Sequence, residues 1–362
     1  MRTELLEKWA RLLVCYAIRV EKGSTIKVRG TVEARPLIHA VFAELLRAGA
    51  HPRVTASLPE VTNTFYTQAS DDQLGHCSPI DIHEAKQLDG IITIKSDPGT
   101  REMSGVDPHK QVLTTKAAQP LADIITTLHN WTLTLYPTIG YAQDADMSLA
   151  DFETFVAKAM FLDEDDPAHH WQQQSRRHAK LARRLMDATQ VRIVARDTDL
   201  TFSVAGRKAL CDDSHRNIPG GEVFTSPIES SAEGRIRYSF PVVAYGREIR
   251  DIQCEFRRGK IVKACAGKNS EFLNQMLDID SGARRLGEFG IGTNYGINRF
   301  IRNILFDEKI GGTVHLAAGR SVAASGGANK SALHWDMICD LRDGGELYFD
   351  GALVQKNGKF VI

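Results

Sequence analysis

The chain has 362 residues, 43% of them hydrophobic and 25% charged, a balance that excludes a disordered or fibrous protein. That length allows two hydrophobic cores, so two domains are expected. Lysine plus arginine (45) equals aspartate plus glutamate (45), so no net field draws the chain to nucleic acid or anionic lipid, and a small molecule or peptide is the expected partner.

Charges are spread through the first residues, Met-Arg-Thr-Glu-Leu-Leu-Glu-Lys, where a signal peptide needs an uninterrupted apolar segment. No later apolar run approaches the roughly 20 residues of a bilayer span. A cytoplasmic protein without a membrane segment is therefore expected. An amphipathic stretch over 3–20 leads to a short strand at 25–28 and a helix over 34–47, which the stop Ala48-Gly49-Ala50 ends. Further strands are expected at 52–56, 90–95 and 131–136. Short apolar strands separated by helices argue for a parallel sheet covered on both faces. No phosphate-loop signature is present, and Gly290 to Gly296 has one residue too many for a dinucleotide fingerprint.

Helical patterns over 149–161 and 170–188 bridge to a second region, with the acidic run Asp163 to Asp166 between them and a basic run from Arg176 to Arg184 as a solvated face. That region is β-rich. Residues 191–204 read as two strands around Arg196-Asp197-Thr198-Asp199, and 234–266 read as a meander with turns at Gly246 and Gly259. The last strands are expected at 313–317 and 333–341, followed by a pair around Asn357-Gly358. The six cysteines are scattered without a Cys-x-x-Cys pair, which suggests reduced core thiols. The expected fold is thus α/β, with an N-terminal parallel α/β domain (1–140) and a β-rich α+β metal-binding domain (141–362).

The chemistry is concentrated in the second domain. In His334-Trp335-Asp336 the two-residue period of a strand sends His334 and Asp336 to one face. His315 sits in a strand pattern bounded by glycines, Gly311-Gly-Thr-Val-His-Leu-Ala-Ala-Gly319, and the polar loop Ser325 to Ser331 joins the two strands. If they are neighbours, three candidate ligands converge. Glu222 and Glu288 lie among glycines and apolar residues, where a buried carboxylate requires a metal or a cationic partner. Taken singly, each has an ordinary reading as a core histidine, a hydrogen-bonded pair or a loop carboxylate.

Together, the Gly-Glu-Val-Phe-Thr, Leu-Gly-Glu, Val-His-Leu-Ala-Ala-Gly and His-Trp-Asp blocks resemble the aminopeptidase T family, in the order expected of that family and most sharply over 219–340. The resemblance implies two divalent ions, with Glu222 and Asp336 on one, His315 and His334 on the other, and Glu288 as bridge and catalytic centre; mixed nitrogen and oxygen ligands suit Zn, Co or Mn. It implies release of N-terminal amino acids from peptides by a metal-bound hydroxide, and a homodimer. One position departs from the family: Val322 stands where a tyrosine is expected seven positions after the strand histidine. Tyr295 is then either a replacement hydroxyl or an exposed loop residue, and Arg320 is a candidate for a substrate carboxylate. Two alternatives stay open. One is a mononuclear iron ring-cleaving dioxygenase, related to dihydroxypyridine dioxygenase, and the other a metal-binding homologue with impaired catalysis.

Overall fold

A computed structural model describes residues 1–128, 130–244 and 247–361. The turn expected at Gly246 lies outside the described residues. Contacts divide the chain into two compact units, Met1–His170 with Ser214–Pro219, and Trp171–Asp213 with Gly220–Ile362. The helix Leu149–Ala159 therefore groups with the first unit, beyond the division drawn near residue 140.

The first unit is built on a five-stranded, all-parallel sheet. Its order is His51–Ser57, Thr25–Thr31, Gly90–Lys95, Asn130–Leu135 and Asn217–Ile218. Ile26, Val28, Ile91, Ile92 and Ile94 are buried, as strands flanked by helices require. The helices start where the sequence favours starting. Proline occupies the first turn at Pro59, Pro79 and Pro108, where its missing N–H costs nothing, and Ser78, Asp107 and Ser148 accept hydrogen bonds from the free N–H groups behind them. Only Asn217–Ile218 reaches this sheet from far along the chain. Thr134 Oγ1 donates to the Ile218 carbonyl at 2.9 Å and Thr132 Oγ1 to that of Arg216 at 3.0 Å.

The second unit pairs an eight-stranded sheet with a five-stranded antiparallel one around a shared apolar core. The larger sheet includes the expected hairpin Gln190–Ala195/Thr198–Ser203 and closes its later strands through two-residue turns. Arg258-Gly259, Asp350-Gly351 and Asn357-Gly358 all have positive φ at both positions, the backbone that a tight hairpin selects. The smaller sheet runs His334–Asp340, Thr313–Gly319, Leu286–Gly292, Glu222–Thr225 and Leu210–Asp212.

Alternation along the smaller sheet separates core from chemistry. Val223, Phe289, Ile291, Val314, Leu316, Trp335 and Met337 point into the core, where Phe289 meets Phe202 of the larger sheet edge-on at 5.1 Å. Burying side chains of this size is worth about 1.5–3 kcal/mol each. The intervening residues face the other way, and these are the candidate ligands.

Candidate metal centre

Register places all five candidates on that second face. Glu288 pairs with Ala317, and Ala317 pairs in turn with Asp336, so the two carboxylates flank an alanine in one row. His334 lies opposite Gly319, two residues along the same edge strand. His315 lies opposite Gly290, and Glu222 opposite Gly292. The residues between the ligands are therefore glycine or alanine. A Cβ on Gly290 would come within 2.0 Å of His315 Nε2 and Cε1. The imidazole thus lies over the Gly290 backbone and reaches across one strand towards Glu222.

Two groups of potential ligand atoms result: Glu222, Glu288 and His315, and Glu288, His334 and Asp336, with the atoms of each group within 4.8 Å of one another. His315 Nε2 is 3.2 Å from Glu222 Oε2 and 3.6 Å from Glu288 Oε1. His334 Nε2 is 3.4 Å from Glu288 Oε2 and 3.5 Å from Asp336 Oδ2. Glu288 faces both groups with its two oxygens, as a bridge must. The grouping differs from the one the resemblance implies, since Glu222 sits with His315 and Asp336 with His334. Strand order dictates this: Asp336 and His334 share the edge strand, and Glu222 approaches from the opposite side of the Glu288 strand.

Local hydrogen bonding prepares both histidines as ligands. His315 Nδ1 faces the Glu308 carbonyl at 3.0 Å and His334 Nδ1 faces the Arg320 carbonyl at 2.8 Å. A carbonyl can only accept, so each Nδ1 carries its proton and Nε2 is the atom left for a metal. His315 Nε2, Glu222 Oε2 and Asp336 Oδ1 are buried without a hydrogen-bond partner among the described residues, an arrangement that is costly unless a cation completes it. Three carboxylates and two imidazoles suit Zn, Co or Mn. The residues present thus fit divalent metal.

Electrostatics in the metal-free site point the same way. Burial opposes the Glu222 carboxylate, but Lys309 and His315 overcome it and hold its pKa down to about 2. Burial raises that of Glu288, with Asp336 and Glu222 adding to the rise against His315. Burial alone would lower His315, yet its contacts with Glu222 and Glu288 raise it well above the ordinary imidazole value. A cation is therefore favoured between these carboxylates, and without metal the imidazolium supplies it.

Sequence reasoning missed three charged residues behind the ligands. Lys309 is fully buried, with Nζ 3.2 Å from Glu222 Oε1, 3.6 Å from Asp212 Oδ2 and in contact with the Glu308 carboxylate. It occupies one oxygen of Glu222 and leaves the other facing His315. Burial, against Lys309 and with Glu222 and Asp336 adding, pushes Glu308 up to about 8. The signal was Asp307-Glu308-Lys309, a charged triplet between Phe306 and Ile310, since such residues are buried only when paired.

The other predicted positions stand apart from the two groups. The Tyr295 ring is half exposed and its hydroxyl donates to the Gly358 carbonyl at 2.7 Å. Arg320 is exposed and borders the same cavity as His334 and Asp336. Val322 is tied by its N–H to Ser226 Oγ at 3.0 Å.

Comparison with known proteins adds a second line. The family described as thermophilic metalloprotease (M29) matches residues 2–360. Aminopeptidase 2 of Geobacillus stearothermophilus is 27% identical, with 98% of this chain and 95% of that protein covered. Aminopeptidase T of Thermus thermophilus is also 27% identical, over 99% and 98%. Among solved structures, wild-type AmpT from Thermus thermophilus superposes with a TM-score of 0.84 at 23% identity, covering 99% of each chain. A 2,5-dihydroxypyridine dioxygenase from Pseudomonas putida superposes less closely, with a TM-score of 0.60 at 16% identity over 99% of this chain and 96% of that one.

Proposed function

The chain belongs to the thermophilic metalloprotease family (M29), and from that premise we propose that it is an aminopeptidase using two divalent ions, Zn, Co or Mn, to release residues from the free N-terminus of peptides. The observation that carries the two-ion reading is Glu288, whose separate oxygens face His315 on one side and His334 on the other. Ions bound there would acidify water and polarise the scissile carbonyl.

The chain's own residues do the rest. Glu308 and Arg320 orient the two imidazoles through their carbonyls, so that each presents Nε2. Lys309 orients Glu222 and offsets part of the negative charge. The Glu308 carboxylate in turn holds Lys309 in place behind Glu222. Restriction to chain ends follows from metal chemistry, because a free amine is itself a ligand and internal residues have none.

The oxygenase alternative has less support, because Glu222 and His315 form a second buried group that a single iron does not need. All described cysteines are free, which supports a reducing, cytoplasmic setting. The homodimer that the family resemblance implies is part of this reading, and Val54, exposed on the outer strand His51–Ser57, is an apolar position available to it.

The test is to reconstitute metal-free protein with Co, Zn, Mn or Fe(II), then assay release of N-terminal residues from short peptides beside oxygen uptake on hydroxypyridines. Peptide hydrolysis without oxygen uptake is expected. No hydrolysis with any metal overturns the peptidase reading, and a Glu288→Gln variant with full activity and metal content overturns the bridge.

A further inference from the structure

A cavity of about 360 Å3 opens beside the metal centre. It runs along the edge strand, where His334, Asp336 and Ile338 of the ligand-bearing side line it together with Leu333 and Trp335. Val242, Val243, Phe300 and Ile304 make apolar walls. Phe300 is held by stacking on Phe240, with ring centroids 5.0 Å apart and planes within 2°. The volume lies at the lower end of the roughly 300–1,000 Å3 typical of small-ligand sites, room for a residue or two rather than a long peptide.

Three charged side chains besides Asp336 border this apolar space, and two of them are already engaged. Asp307 is buried and accepts from the backbone N–H groups of Ile301 and Asn303 at 2.8 and 2.7 Å, which ties down the turn that frames the cavity. Arg302, on that turn in the left-handed region at φ 61°, has Glu248 Oε2 at 3.7 Å. Arg320 has no acidic partner among the described residues. Its backbone is fixed beside the metal centre, with N–H donating to the Leu333 carbonyl at 2.6 Å and the carbonyl accepting from His334 at 2.8 Å. A guanidinium at the border of an apolar cavity is suited to a planar anion, which it meets with two parallel hydrogen bonds.

We propose that this cavity is a subsite for the residue following the scissile bond, with its side chain against the Phe300 and Val242 walls and a carboxylate on Arg320. The inference rests on the peptidase reading and narrows the substrates to short peptides that place a carboxylate one residue beyond the cleaved bond. That carboxylate is either the C-terminus of a dipeptide or the side chain of an acidic second residue.

The experiment compares Leu-Leu, Leu-Leu-amide and Leu-Glu-amide on metal-loaded wild type, Arg320→Gln and Arg320→Lys, with metal content measured for each. A charge-assisted hydrogen bond to the bound substrate should favour Leu-Leu over its amide by about tenfold in kcat/KM, mostly through KM. Arg320→Gln should bring that ratio to about one, and Arg320→Lys should restore part of it, at unchanged metal content. Leu-Glu-amide matching Leu-Leu shows that Arg320 accepts a carboxylate from either the chain end or an acidic side chain, and Leu-Glu-amide matching Leu-Leu-amide restricts it to the chain end; each supports the subsite. Wild-type ratios near one for both Leu-Leu and Leu-Glu-amide over Leu-Leu-amide, or a preference that Arg320→Gln leaves unchanged, overturn it. If no peptide is cleaved with any metal, the peptidase reading fails separately. Calorimetric binding of Leu-Leu against Leu-Leu-amide to wild type and Arg320→Gln then decides the subsite by the same two ratios.

Discussion

Gly290→Ala places one methyl group in the path of His315. Gly290 does not have positive φ, so alanine meets no backbone strain there and the contact with the imidazole is the whole perturbation. The added Cβ would lie 2.0 Å from both Nε2 and Cε1, and ordinary contact begins near 3.4 Å, so the ring must retreat by about 1.4 Å. Metal–nitrogen bonds tolerate about 0.2 Å, so His315 is lost as a ligand to that ion. Overpacking should destabilise the metal-free protein by about 1–3 kcal/mol, while metal affinity at the Glu222–Glu288–His315 group should fall by about 100-fold or more. The assay is metal content by elemental analysis after reconstitution and dialysis, together with kcat/KM on a dipeptide. Less than two ions per chain and a loss of about 100-fold in kcat/KM are expected. Gly105→Ala, where an added Cβ meets nothing within 4 Å, is the control. Full metal content with kcat/KM within about threefold of wild type would refute the geometry on which the site is built.

Lys309→Met removes the buried ammonium among Asp212, Glu222 and Glu308 and leaves uncompensated carboxylates, so urea unfolding of the metal-free protein at pH 7 should show a loss of about 3–5 kcal/mol. A loss below about 1 kcal/mol, the range of exposed pairs, would contradict the burial. His178 is buried against Thr293 Oγ1 at 2.7 Å, and burial lowers its pKa from 6.5 to about 4. The unfolded chain then takes up a proton that the folded one refuses. Stability should therefore be full above pH 6.5 and fall by about 3 kcal/mol between pH 6.5 and 4 from this group alone. His178→Gln should flatten that part of the urea-unfolding pH profile, and an unchanged slope would show that the imidazole is not desolvated. Glu84 joins the first two strands of the parallel sheet through Lys27 at 2.6 Å and Arg53 at 3.1 Å, and these contacts lower its pKa against burial. Glu84→Gln should lower the melting temperature slightly at pH 7, by an amount that shrinks as the pH falls below the ordinary carboxylate range and the wild-type group takes up its proton; a shift that stayed constant into strong acid would exclude an ionic origin.

Period-two alternation was enough to put His334 and Asp336 on one face, and the Asn357-Gly358 turn and the hairpin around Asp197 could be read from residue type, because these features are local. Helix Pro108–Thr127 escaped notice because it contains Pro120, is rich in threonine and has only a weak apolar stripe. The pairing of the ligands escaped for another reason. Which carboxylate accompanies which histidine depends on strand order, and nothing in either strand's own sequence records that Leu286–Gly292 lies between Glu222 and His315. Asp212, Glu308 and Lys309 lie 97 positions apart at their extremes (309 minus 212), and only the folded sheet brings them together.

The short strand Asn217–Ile218 belongs to the first unit although the chain on both sides of it belongs to the second. Neither unit is therefore encoded by one uninterrupted stretch of gene. A fragment ending at His170 would leave strand Asn130–Leu135 with an unpaired edge and its threonine hydroxyls without the carbonyls of Arg216 and Ile218, a template for aggregation. Any exchange of the N-terminal unit between relatives, by recombination or in the laboratory, has to carry Ser214–Pro219 with it, and that segment ends three residues before Glu222.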